Sequence, residues 1–131
     1  MVILKAKHLQ SGYQGTPVLH DISFEVEENK IVAILGSNGA GKTTTLRTLT
    51  GTVRATSGHI WYNGEEITKT PTYKMAPMGI ALVPEGRHLF NQMSVRDNLL
   101  MGSYRVKNKE LVQKRLEQMY EIFPRIKERS N

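Results

Sequence analysis

Apolar and polar side chains alternate loosely through residues 2–9, with Val2, Leu4 and Ala6 in phase. They alternate again through residues 18–26, where Val18, His20, Ile22, Phe24 and Val26 share one parity. A period of two marks a strand with one face on a sheet. Two strands are therefore expected, joined by a turn at Gly12, Gly15 and Pro17. Residues 30–35 then form a continuous apolar, β-branched run, which predicts a buried strand. Leu46 and Leu49 lie three apart, as on one helix face, and Gly51 is placed to end that helix. His59, Ile60, Trp61 and Tyr62 predict a further strand, with Asn63-Gly64 as a hairpin turn. Residues 80–83 read as another buried strand, stopped by Pro84. Beyond that the period lengthens. Ser94 is a candidate N-cap with Asp97 three residues on, Val95, Leu99 and Leu100 share a face, and Gly102 closes the helix. Residues 108–123 carry an apolar stripe through Leu111, Val112, Leu116, Met119, Tyr120 and Phe123, and Pro124 breaks it.

Between the apolar run and the first helix stands Gly36-Ser37-Asn38-Gly39-Ala40-Gly41-Lys42-Thr43. It fits G-x-x-x-x-G-K-[ST], the phosphate-binding loop, and the strand–loop–helix context suits it. Glycines let the backbone approach a ligand closely and adopt angles closed to other residues. The N–H groups of residues 38–42 can then converge on an anion, and the helix opening near Lys42 adds its positive end. In that arrangement Lys42 reaches the β- and γ-phosphates of a nucleoside triphosphate, and the Thr43 hydroxyl holds Mg²⁺. The bland alternative is a glycine turn that binds nothing.

Composition narrows the picture without redirecting it. The 131 residues suffice for one modest core, and 39% hydrophobic with 23% charged is ordinary for a soluble protein. There is no cysteine, hence no disulfide or thiolate-bound metal. The longest apolar run is far too short to cross a bilayer, and the first residues hold no signal-peptide core. Net charge is +6. Eight Lys/Arg face four Glu between Arg105 and Arg129, but they spread along a helical pattern. That excess reads as a solvated helix face, with no nucleic-acid partner expected.

Four marks together resemble the ATP-binding subunits of ABC transporters, over essentially the whole chain. They are the phosphate loop, the Ser57–Gly64 stretch, Tyr13 upstream of the first turn, and Val83-Pro84-Glu85-Gly86-Arg87. The last, followed by Leu89-Phe90 and Ser94-Val95-Arg96-Asp97-Asn98-Leu99, is most similar to the ATPases of branched-chain amino-acid uptake. The resemblance implies an α/β fold: a P-loop NTPase (RecA-like) core with an antiparallel β part over residues 1–93, then the start of a helical subdomain over 94–131. It implies ATP and Mg²⁺ as cofactors. Tyr13 would stack on adenine, with Val18 beside it. Gly36, Ser37, Asn38, Gly39, Ala40, Gly41, Lys42, Thr43 and Thr44 would hold the phosphates, Thr44 at an α-phosphate oxygen. Glu85 stands where the family has glutamine, and a carboxylate there suits Mg²⁺. Lys42 and Glu85 would then serve hydrolysis. Implied partners are a second ATP-binding subunit and membrane permeases, on the inner face of the cell membrane.

The family's signature element, its strand ending Asp-Glu and its switch histidine have no counterpart in these residues. The chain is therefore expected to be an N-terminal part of an incomplete domain, binding nucleotide weakly and hydrolysing little by itself. Other readings stay open. Val18 is equally plain strand core, Tyr13 a sheet-edge aromatic, Thr44 a helix-start hydroxyl, and Glu85 a surface carboxylate. A soluble phosphate-loop ATPase or kinase, or a non-catalytic interaction module, remain alternatives for the whole.

Overall fold

A computed structural model describes residues 1–86 and 88–130. Arg87, the last residue of the Val83–Arg87 mark, and Asn131 lie outside the described residues. The chain divides into two compact units, Met1–Val83 and the residues from Pro84 onward. The sequence had suggested a division at residue 93.

The first unit is built on an antiparallel four-stranded sheet in the order β2-β1-β3-β4. Its strands are β1 (Val2–Tyr13), β2 (Thr16–Glu27), β3 (Ala55–Tyr62) and β4 (Glu65–Glu66). Tyr13 pairs with Thr16 across a two-residue turn, Gln14-Gly15, with φ of 50° and 83°. Asn63 and Gly64, at 49° and 80°, make the second such turn, as their sequence indicated. Positive φ at both central residues matches the right-handed twist of paired strands.

The expected alternation is interrupted in both long strands. In β1 the buried residues are Ala6, then Leu9 and Ser11. Parity changes at a bulge, where His8 has φ 50° and the register slips between Ala6 and Leu9. Opposite it, β2 bulges at Asp21, with φ 130°. His8 and Asp21 pair through Nδ1 and Oδ1 at 2.9 Å, and the His8 N–H donates to Ser23 Oγ at 2.8 Å. An extra residue in a strand flips every later side chain to the other face. Hence Leu19 is the core residue of β2, while His20 and Ile22 are exposed, against expectation.

The core gathers Ala6, Leu9, Leu19 and Ile60 from the sheet, Ile67 just after it, and Leu49 and Met75 from helices. Leu49 closes α1 (Lys42–Leu49), and Met75 closes α2 (Thr72–Met75), which runs on into a 3₁₀ turn at Ala76–Met78. Helix α1 docks differently from expectation. Thr44, Thr45 and Thr48 are buried with Leu49, whereas Leu46 is exposed. The hydroxyls have partners at close range. Thr45 Oγ1 donates to the Gly41 carbonyl at 3.0 Å, and Thr48 Oγ1 to that of Thr44 at 2.7 Å. Helix α1 ends in a Schellman motif, Gly51 N–H to Thr48 and Thr52 N–H to Arg47.

Two expected strands do not form. Residues 30–35 and 80–83 have no ladder partner, and Ile31, Leu35 and Val83 are exposed. A buried parallel strand needs neighbours on both edges and layers on both faces. Among the described residues, no strand flanks either run, so β propensity alone leaves them extended and unpaired.

The second unit holds α3 (Val95–Met101), α4 (Lys109–Ile122) and α5 (Pro124–Glu128). Ser94 caps α3 as expected, its Oγ accepting the Asp97 N–H at 3.1 Å. Asn108 does the same for α4, accepting from Leu111 at 3.0 Å. Leu116 and Tyr120, one turn apart, are the buried part of the α4 stripe. Pro124 ends α4 and also opens α5, at a position where its missing N–H costs nothing.

Candidate phosphate-binding site

Residues 36–40 form an exposed loop that runs through the buried Gly41 into α1. Gly41 stands at the helix N-cap with φ 93°, a left-handed angle that favours glycine. It is also pressed against β2. A Cβ there would lie 2.7 Å from Leu19 Cδ2 and 3.6 Å from Val18 Cγ1. Val18 is thus half-buried under the end of the loop. Gly39 has φ 85° and open space around it. The Ala40 N–H donates to the Ser37 carbonyl at 3.2 Å, closing the turn that carries Ser37 and Asn38.

No side chain caps the start of α1, and its first turn holds no acid. The first N–H groups of a helix have no partner within it, and together they carry about half a positive charge. Lys42 adds a full charge at this end. Its ammonium folds back over the loop, donating to the carbonyls of Gly36 at 2.8 Å and Ser37 at 2.7 Å. Thr43 is exposed on the first turn of the helix. Thr44 is buried and faces the end of β1, with Oγ1 3.4 Å from the Tyr13 hydroxyl. Tyr13 is 40% exposed. Thr44 first, and then Arg47, hold its phenol below the ordinary tyrosine range.

Tyr13, Val18, the glycine loop, Lys42, Thr43 and Thr44 all belong to the first unit, around one end of α1. Glu85 belongs to the second, on an exposed bend where His88 Nε2 donates to its carbonyl at 2.9 Å. A cavity of about 880 Å³ lies at the other end of α1, lined by Val53, Arg54, Lys69, Thr72 and Tyr73. Phosphates are recognised by converging N–H groups rather than by an apolar cavity.

The family model for the ABC transporter matches residues 19–130. The chain belongs to the ABC transporter family. It is 44% identical, over 127 residues, to the high-affinity branched-chain amino acid transport ATP-binding protein BraG of Pseudomonas aeruginosa. That match covers 97% of this chain and 54% of BraG. It is also 40% identical over 98 residues to the lipopolysaccharide export system ATP-binding protein LptB of Acidithiobacillus ferridurans, covering 75% of this chain and 41% of LptB. A solved ATP-binding subunit of an ABC transporter superposes with a TM-score of 0.79 at 30% identity, over 98% of this chain and 52% of that one. The chain spans about half the length of the relatives it matches. Its antiparallel sheet, phosphate loop and helices make up part of the α/β P-loop cassette of this family.

Within that family the site suits Mg²⁺ and nucleotide. The loop end is free of side-chain bulk, the helix start is uncapped, a cation is at hand, and an exposed threonine stands beside it. The sequence alone had not singled out Arg47, whose Nη1 donates to the Tyr13 hydroxyl at 3.4 Å. Its signal was available. Thr44, Arg47 and Thr48 have the i, i+3, i+4 spacing of one helix face.

Proposed function

We propose that the chain is the nucleotide-binding part of an ATPase subunit that drives uptake of branched-chain amino acids. The observation that carries the reading is the left-handed glycine pair leading into an uncapped helix that begins with Lys42. In this reading the N–H groups at the start of α1 bind the phosphates, and Lys42 leaves the Gly36 and Ser37 carbonyls for the β- and γ-phosphate oxygens. The Thr43 hydroxyl would hold Mg²⁺, which would neutralise charge at the transferring phosphoryl group, and Glu85 is proposed separately as a metal-binding carboxylate. Tyr13 lies against adenine with Val18 beside it, and Thr44 serves the α-phosphate. Partners are a second ATP-binding subunit and membrane permeases at the inner face of the membrane. The match to BraG over 97% of the chain favours amino-acid uptake. The shorter LptB match supports a second reading, in which the cargo is a lipid exported by a related machine.

Calorimetric titration with Mg·ATP tests the site. The unmodified chain is expected to bind and Lys42→Ala to lose at least tenfold in affinity, since a charge-assisted contact to phosphate contributes about 1.5–3 kcal/mol. Equal binding by both would contradict the assignment.

A further inference from the structure

Besides the core packing of Leu49, polar side chains join helix α1 to β1. On the strand, Ser11 and Tyr13 are two apart and point the same way. On the helix, Thr44, Arg47 and Thr48 share a face. Ser11 and Thr48 join inside the core at 2.7 Å. The Thr48 hydrogen is committed to the Thr44 carbonyl, so Ser11 is the donor. Tyr13 makes the outer junction, between Thr44 Oγ1 and Arg47 Nη1, each 3.4 Å from its phenol oxygen. Arg47 is exposed, and it is the one charged residue among these side chains. No step of phosphate recognition uses it.

We propose that Arg47 is a positioning residue for the aromatic ring of Tyr13, and so for the base of the bound nucleotide. This rests on the ATP-binding reading of the site. Tyr13 closes its strand just before the Gln14-Gly15 turn and is 40% exposed, so packing alone does not fix the plane of its ring. The Arg47 guanidinium donates to the phenol oxygen, which also lies 3.4 Å from Thr44 Oγ1. Thr44 follows Lys42 and Thr43 directly. The far edge of the ring is thereby tied to the same turn of helix that carries the phosphate ligands. Base and triphosphate then meet surfaces already set at the right separation, which lowers the cost of ordering on binding. Arg47 is also a cation in the last turn of α1, where it favours the helix in any case. The test must separate these two roles.

The full chain, Arg47→Ala, Tyr13→Phe and the double variant are titrated by calorimetry with Mg·ATP and, separately, with Mg·tripolyphosphate, which has no base. Arg47→Ala is expected to raise the Kd for ATP about three- to tenfold, the range of one hydrogen bond, and to leave tripolyphosphate unchanged. In the Tyr13→Phe background, Arg47→Ala is expected to have no further effect on ATP affinity. Three results would overturn the proposal: unchanged ATP affinity in Arg47→Ala, equal weakening of ATP and tripolyphosphate, or additive losses in the double variant. Failure of the unmodified chain to bind either compound would overturn the ATP reading, and the positioning role with it.

Discussion

Gly41 carries two constraints at once, a left-handed angle and a would-be Cβ 2.7 Å from Leu19 Cδ2. Gly41→Ala is therefore expected to cost about 1–3 kcal/mol of stability, as backbone strain and a core clash do, with nucleotide affinity falling as well. Urea denaturation of the variant beside the unmodified chain measures it. The glycine spacing was legible because everything it needs is local: four glycine and lysine positions set the turn and the helix start. The tether on Tyr13 was not legible, because it depends on how α1 docks against β1. Glu66 gives a residue-scale prediction with a sign. The His59 ring, and after it the Thr68 hydroxyl, hold its carboxyl below the ordinary carboxylate range. A depressed pKa contributes stability above the unfolded value, about 4.3, which is lost as pH falls through the folded one. Melting temperature is thus expected to fall less steeply with acid in Glu66→Gln than in the unmodified chain. The group is exposed, so the difference is small.

Elements were legible where the sequence pattern was self-sufficient. The Asn63-Gly64 turn and the Ser94 cap stand where their residues placed them. The first turn is confined to Gln14-Gly15, with Gly12 and Pro17 paired in the strands. Of the α4 stripe, Leu116 and Tyr120 are buried while Leu111, Met119 and Phe123 are exposed. The strands at 30–35 and 80–83 fail for a different reason. Their apolar runs signal burial between neighbours, and no described strand flanks them. The bulges at His8 and Asp21 were hidden, because a count of alternate residues assumes an unbroken register. In α1 the buried face is made of threonines rather than Leu46, since their hydroxyls return to carbonyls of the preceding turn. A further device had no sequence signal beyond its residue type. Asn98 ties the segment before α3 to the helix, donating to the Phe90, Met93 and Ser94 carbonyls and accepting from the Phe90 N–H. Asn98→Ala is expected to destabilise α3 by about 1 kcal/mol, the net contribution of a typical side-chain hydrogen bond, since the Phe90 and Ser94 carbonyls keep the Met93 and Asn98 N–H groups as partners. Amide exchange at Phe90 and through Val95–Met101 should quicken by the corresponding factor while β1 is unaffected.

At the scale of the molecule, family membership comes from a match across most of the chain, while substrate and partners depend on relatives twice as long. Among the described residues no helix is long and apolar enough to cross a membrane. Eight of the 18 Lys/Arg lie between Arg105 and Arg129, against four Glu, and none of these belongs to the triphosphate loop, whose cation is Lys42. Sequence, fold and proposed activity meet in a single turn of backbone whose N–H groups are proposed to bind an anion. Nitrogen-15 correlation spectra of the labelled 131-residue chain, titrated with Mg·ATP, address that turn directly. Saturable shifts led by the amides of Gly39, Gly41, Lys42 and Thr43, and absent in Lys42→Ala, are the predicted result. Amides in this turn that stay still at saturating Mg·ATP, or shifts confined to other parts of the chain, would contradict it.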